Sequence, residues 1–171
     1  LENYKDIFSG GSKEGLFEIV QNVNTGEAFD LNSIFSNLVV KTPLVSSNTP
    51  LLYYDINFIR KIYPPTETDN RASLWYDENI YSNTGTQQLF KFVNPFQNPN
   101  GQLTSNVGNQ VVFRYTDAVL LRAEALANLD RDAEAVDVVN LIRNRAGAEP
   151  FDTFGKALKD DIYWERVREL I

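Results

Sequence analysis

The stretch RYTDAVLLRAEALANLDRDAEAVDVVNLIRNRAG, residues 114–147, constrains the fold of this chain more than any other, because it reads as two helices back to back. Between Arg114 and Leu129, Asp117, Glu124 and Asn128 mark one narrow polar stripe at spacings of seven and four. Ala118, Val119, Leu121, Ala123, Ala125, Leu126 and Leu129 cover most other directions, so this helix must be packed on more than one side. Asp130 to Asp132 forms a short polar turn. Asp132 is expected to cap the second helix, with Glu134 and Asp137 near the positive end of its dipole. That helix gathers Ala135, Val138, Val139, Ile142 and Ala146 on one face. Arg143 and Arg145 suit its C-terminal end, Gly147 can supply a left-handed cap, and Pro150 blocks continuation. A third helix is expected from Thr153 or Asp161 onward, burying Leu158, Tyr163, Val167 and Leu170 or Ile171.

Small alanines at a helix contact, a short turn and antiparallel order are the marks of a tetratricopeptide-type hairpin, in which Ala123 and Ala135 allow close backbone approach. Stacked repeats bury their faces on neighbours, so a lone hairpin implies partner helices that are disguised upstream or lie outside this chain. The expected fold class is mainly α, with tetratricopeptide-like helical hairpins, a long loop-rich insertion and a few short strands.

Upstream, LENYKDIFSGGSKEGLFEIVQNV begins as a short helix, turns at Gly10 and Gly11 and enters a strand at Leu16 to Val20. From Asn22 to Gln110 periodicity is poor, and the loop signals NTPLLYYD, YPPTETDNR, SNTG and NPFQNPNG follow one another. Short extended pieces are expected at Ser73 to Tyr76 and Phe90 to Val93. The aromatic residues crowded between Tyr53 and Phe96 argue against disorder, and long irregular regions within a domain commonly carry function.

The 171 residues contain no Cys, His or Met. Without imidazole or thiol there is no Ser-His or Cys-His nucleophile, no Cys/His zinc site and no disulfide frame. No cofactor or metal is expected. Carboxylates are the acid/base groups left, and a glycosidase would need a pair such as Asp55, Asp69, Asp77 or Glu78. The net charge of -7 is spread evenly and no basic patch stands out, which argues against nucleic acid as a partner. No apolar run approaches the roughly 18 residues of a membrane span.

The motifs YKDIF, EGLFEI, DNR, FRYTDAVLLRAEALANL, VNLIRNRAG and ERVREL, in that order, resemble the SusD/RagB family of surface nutrient-binding lipoproteins of Bacteroidetes. The resemblance rests on Arg114-Tyr115, Asp117, Leu120-Leu121, Ala123-Glu124-Ala125, Asn140, Ile142-Arg143, Arg145-Ala146-Gly147, Glu165-Arg166 and Glu169-Leu170. Within the loop region it touches only Asp69 and Arg71. It implies that residues 1–171 are a single-domain piece from the C-terminal part of such a protein, with a variable loop-rich region over 1–113 and a tetratricopeptide-like region over 114–171. It further implies a non-catalytic protein on the outer-membrane surface, tethered by an N-terminal lipid anchor outside this chain. Such a protein holds a glycan, or a peptide as in RagB-like proteins, for uptake through a SusC-like TonB-dependent transporter. A tetratricopeptide adaptor for other proteins is the competing reading; further repeats of about 34 residues would mark it, and the chain lacks them.

Sugar rings present apolar faces to aromatic side chains and paired hydroxyls to amides. The candidate ligand contacts are therefore Trp75, Tyr76, Tyr53, Tyr54, Tyr81, Asn83 and Gln87, with Trp75 favoured for the size of its ring. Were Ser73 to Tyr76 a strand, one of Trp75 and Tyr76 would point inward. Trp164 is assigned to packing, Arg71, which follows Asp69, to a structural ion pair or hydrogen-bond anchor, and Arg114, Arg143, Glu165 and Arg166 to ties between helices.

Overall fold

Two antiparallel helices and a third packed against both organise the computed structural model, which describes residues 1, 4–7, 11–20, 55–76, 78–82, 95–97, 103–106 and 109–171. The chain enters this group through α1 (Tyr4–Ile7), β1 (Gly15–Ile19), α2 (Ile56–Ile62), α3 (Asn70–Trp75) and a 3-10 turn (Glu78–Tyr81). Then come β2 (Pro95–Gln97), β3 (Leu103–Asn106), β4 (Gln110–Arg114), α4 (Tyr115–Asn128), α5 (Asp132–Ala146) and α6 (Gly155–Leu170). No helix among the described residues is long and apolar enough to cross a membrane.

The hairpin α4–α5 forms as its alanines dictate. Ala123 and Ala135 are both fully buried, beside Leu120, Val139 and Ile142 from the pair and Leu158 and Ile162 from α6. The turn is made by Asp130 at φ 56°, a left-handed conformation that Asp tolerates better than most residues. Asp132 departs from its expected role. Arg131 occupies the capping position without a side-chain capping bond, and Asp132 is the first helical residue. Its carboxylate accepts from the Gly155 amide at 2.6 Å, which fastens the start of α6 to the start of α5. Gly147 ends α5 at φ 63°, and the Ala148 amide returns to the Arg143 carbonyl at 3.0 Å.

The third helix begins near Thr153, as one of the two expected starts has it, yet its inward face is different. Leu158, Ile162, Glu165 and Glu169 are buried, at steps of four, three and four, whereas Tyr163 and Leu170 are exposed. A buried stripe half apolar and half acidic does not register as amphipathic, which is why the pattern places Tyr163 and Leu170 inside.

β1 pairs antiparallel with β4, Phe17 opposite Phe113, so the strand expected over Leu16 to Val20 is present within one residue. β4 runs directly into α4. A second ribbon joins β2 to β3. The expected extended segment Ser73 to Tyr76 is instead the end of α3. Asp69 caps that helix by accepting from the Arg71 amide at 3.0 Å, and Arg71 and Trp75, four apart, then share its buried face. The expected strand at Phe90 to Val93 lies outside the described residues.

A second apolar cluster joins Tyr4, Ile7, Ile59, Ile62, Tyr63, Trp75, Tyr76 and Ile80 to Ala146 and Ala148. Trp164, Val167 and Ile171 of the α6 segment pack on it, so α6 stands between the two cores. The hairpin α4–α5 keeps Tyr115, Leu121, Leu129 and Leu141 exposed, as expected of a helix apolar on most sides, and Tyr115 and Leu141 line a cleft of about 620 Å³.

Candidate binding surface and the ion network behind it

Trp75 and Tyr76 are both in the core, 2% and 4% exposed. The Trp75 ring meets Tyr4 edge-on at 5.2 Å between centroids, and Tyr76 packs against Tyr63 at 5.8 Å. Neither ring has a free face for a sugar. The reason is local: a helix that buries Arg71 also buries the residue one turn later, and the chain turns inward again at its C-cap. Tyr81 behaves differently. It closes the 3-10 turn with 41% of its surface exposed, and its hydroxyl donates to the Tyr63 carbonyl at 3.0 Å. Burial, and secondarily Asp69, raises its pKa above the ordinary tyrosine value, which keeps the phenol neutral. Tyr53, Tyr54, Asn83 and Gln87 lie outside the described residues. Of the expected contacts that are described, Tyr81 alone presents a face.

Trp164 packs as expected, against Phe58 at 6.4 Å and under the Lys61 ammonium at 4.9 Å. Two of the carboxylates considered for a glycosidase, Asp55 and Asp69, are otherwise engaged. Asp55 caps α2 by accepting from the Asn57 amide at 2.9 Å, and Asp69 holds both the α3 cap and Arg71. Asp77 is outside the described residues.

Behind this surface lies a network of buried charge. Arg71 is fully buried and grips Asp69 with two nitrogens at 2.9 and 2.7 Å. Its remaining terminal nitrogen donates to Glu165 at 2.7 Å and to Glu169 at 2.9 Å. Glu169 also accepts from the Tyr4 hydroxyl at 2.8 Å, from Arg114 at 2.5 Å and from Arg145 at 2.8 Å. Arg143 reaches the other oxygen of Glu165 at 3.2 Å. Glu14 accepts from the Thr116 hydroxyl at 2.7 Å and from Arg145 at 2.8 Å.

The guanidinium groups of Arg71, Arg114, Arg143 and Arg145 thus face the carboxylates of Asp69, Glu14, Glu165 and Glu169, with Arg168 at the edge 3.7 Å from Glu165. Burial pulls the Arg71 pKa down, but Glu165 and the hydrogen bonds that Arg71 donates to Asp69 outweigh it and hold it well above the ordinary arginine value. The same balance, with Glu169 the main opposing charge, raises Arg145. Such a network ties elements together. It brings α1, the turn before β1, α3, β4, α5 and α6 to one point, and the expected structural roles of Arg71, Arg114, Arg143 and Glu165 are borne out. Arg166 does its tying at the surface, 3.2 Å from Asp117 and 3.7 Å from Glu124, which explains the polar stripe on α4.

Sequence reasoning missed Glu14, Arg145, Glu169 and Tyr4 as network members and Tyr63 as the support for Tyr81. The step of four between Glu165 and Glu169, continuing Leu158 and Ile162, was the available signal. Asn140 acts close to its own place in the chain. Its amide forms two hydrogen bonds with the Phe151 backbone, at 2.8 and 3.0 Å, and holds the loop after α5.

Fold and surface together define a helical scaffold of tetratricopeptide type, locked by buried charge to the preceding short helices, which carry Tyr81 at the surface. The model of the SusD family matches residues 63–171, and the chain belongs to that family. It is similar to a SusD homolog from Bacteroides thetaiotaomicron VPI-5482 with 44% identity and a TM-score of 0.86, over 100% of this chain and 38% of that one. A SusD-like carbohydrate binding protein from Bacteroides vulgatus ATCC 8482 shares the fold at 20% identity and a TM-score of 0.68, over 99% of this chain and 35% of that one. A SusD superfamily protein from Parabacteroides distasonis ATCC 8503 does so at 19% identity and a TM-score of 0.68, over 98% and 39% of the two chains. The chain therefore spans less than two fifths of the length of these structures. No curated protein matches it.

Proposed function

We propose that this chain is part of a non-catalytic glycan-binding protein of the outer-membrane surface, lipid-anchored, which hands its ligand to a SusC-like TonB-dependent transporter. The observation that carries the reading is membership of the SusD family over residues 63–171. One relative of the same fold is described as carbohydrate binding, which supports a sugar rather than a peptide as ligand. The contacts proposed are Tyr81, with Tyr53, Tyr54, Asn83 and Gln87 of the same aromatic and amide-rich region. Loops presented by a rigid scaffold are the usual place for binding groups. The surrounding helices, by contrast, commit their inner faces to packing.

Stacking one sugar on an aromatic face contributes about 1 kcal/mol beyond buried area, so Tyr81 alone gives weak binding and several such contacts are needed for micromolar affinity. The test is affinity electrophoresis of the full-length protein through gels carrying soluble glucan, mannan, xylan or pectin. Retardation by one polysaccharide, reduced by Tyr81→Ala with an unchanged melting temperature, is the expected result. Migration unaffected by all four, or retardation that Tyr81→Ala leaves intact, would count against the assignment.

A further inference from the structure

Arg60 lies on α2, outside the buried network, and its guanidinium is directed at the turn that carries Tyr81. Its Nε donates to the Ile80 carbonyl, and a terminal nitrogen donates to the Ser82 carbonyl at 2.7 Å. The two acceptors flank Tyr81 in the chain. We propose that Arg60 is a positioning residue for the binding surface: one planar guanidinium spans the carbonyls on both sides of Tyr81 and sets the angle at which that ring meets its ligand. The inference rests on Tyr81 being a ligand contact, as argued above, and adds how the contact is held.

The geometry supports positioning over general stabilisation. A guanidinium offers parallel donors in a fixed fork, so it constrains the relative orientation of two carbonyls as a single ammonium cannot. The phenol is held by a second contact, its bond to the Tyr63 carbonyl at 3.0 Å. Tyr63 is in turn anchored to α6: its hydroxyl donates to the Arg168 carbonyl at 2.6 Å, and the Arg168 Nε donates to the Ile62 carbonyl at 2.8 Å. Backbone and ring tip of Tyr81 are thus fixed at two points of one element, by Arg60 within α2 and by Tyr63 at its C-terminal cap, which is clipped to α6. An exposed aromatic ring held this way meets a ligand without first losing rotamer freedom.

The experiment is ¹⁹F NMR of the chain labelled with 3-fluorotyrosine, the Tyr81 resonance being assigned by its loss in Tyr81→Phe. In Arg60→Gln the Tyr81 resonance should narrow and move toward that of free fluorotyrosine, while those of Tyr4 and Tyr163 stay in place. Arg60→Lys, which keeps the charge but can bridge only one carbonyl at a time, should fall between. A wild-type Tyr81 resonance in either variant overturns the proposal, and should Arg60→Gln fail to fold, Arg60→Lys decides alone. Binding is read separately in the full-length protein, with whichever of the four polysaccharides retards it. There Arg60→Gln should raise Kd roughly 2–10-fold, the range for one side chain that must be ordered on binding. If the fluorine signal loosens but Tyr81→Ala binds normally, the ligand assignment of Tyr81 falls and the positioning by Arg60 stands. If Tyr81→Ala weakens binding and Arg60→Gln does not, the positioning proposal falls alone.

Discussion

Replacing Glu169 by Gln tests the claim that the buried charge is what holds the elements of this chain together. The side chain is fully buried and its two oxygens take hydrogen bonds from Tyr4, Arg71, Arg114 and Arg145. An amide of the same shape keeps one acceptor, turns the other into a donor pointed at guanidinium groups, and removes the charge. The arginines of the network then face three anions instead of four inside the protein. Breaking a buried pair by removing one partner costs about 3–5 kcal/mol. The lower end applies here, since Arg71 retains Asp69 and Glu165, and Arg145 retains Glu14. For a chain of this length each kcal/mol moves Tm by about 2–4 °C, so the expected fall is about 6–12 °C, and about 3 kcal/mol in urea titrations. Glu134→Gln is the control, because that carboxylate pairs with Arg131 on the open surface and its loss should leave Tm where it was. A Glu169→Gln variant that melts with the wild type would refute the reasoning, and would mean that the apolar clusters suffice without the network.

Further outcomes follow from the packing and from titration. Ala135→Leu should lower stability by about 1–3 kcal/mol in urea denaturation, because it overpacks a fully buried helix contact opposite Ala123. Gly147→Ala should cost about 1–2 kcal/mol by the same measurement, since φ is 63° there. An added Cβ would also meet the Asn70 side-chain nitrogen at 2.5 Å, a flexible group that can move aside. Burial holds the phenols of Tyr4 and Tyr63 above the ordinary tyrosine pKa, so the unfolded chain deprotonates first. The stability they contribute is therefore present below about pH 10 and is lost as pH rises beyond it, and denaturation midpoints between neutral and strongly alkaline pH should decline less steeply in Tyr4→Phe.

The hairpin was legible because its signals repeat. Alanines at the contact, an acidic first turn, arginines at the C-terminal end and Gly147 all mark the same boundaries, and local choices that agree identify an element without knowledge of its neighbours. The third helix was legible as a helix but not by face, since Glu165 and Glu169 count as solvent-facing in any hydrophobicity pattern. Their burial depends on arginines as distant in sequence as Arg71 and Arg114, and pairing at that range leaves no local trace. The same limit misplaced Trp75. In SLWYDE the alternation suggests a strand, and only the cap at Asp69, together with the pull of Arg71 into the network, makes that stretch the end of a helix.

Arg71 shows why the aromatic region and the helices cannot be treated as separate halves. One side chain closes the cap of α3 through Asp69 and satisfies two carboxylates of α6, so α3 is fastened to the helical group through the buried charges. Tyr63 repeats the connection a short distance away with an uncharged bond to the Arg168 carbonyl. Both attachments use α6, which is also the helix that closes the hairpin core through Leu158 and Ile162. A change in the packing of α6 must therefore reach Tyr81 through Tyr63, whose carbonyl receives the Tyr81 hydroxyl. Substitutions on the inner face of α6 should alter the binding surface and stability together, whereas substitutions at the exposed Tyr163 on its outer face should alter neither.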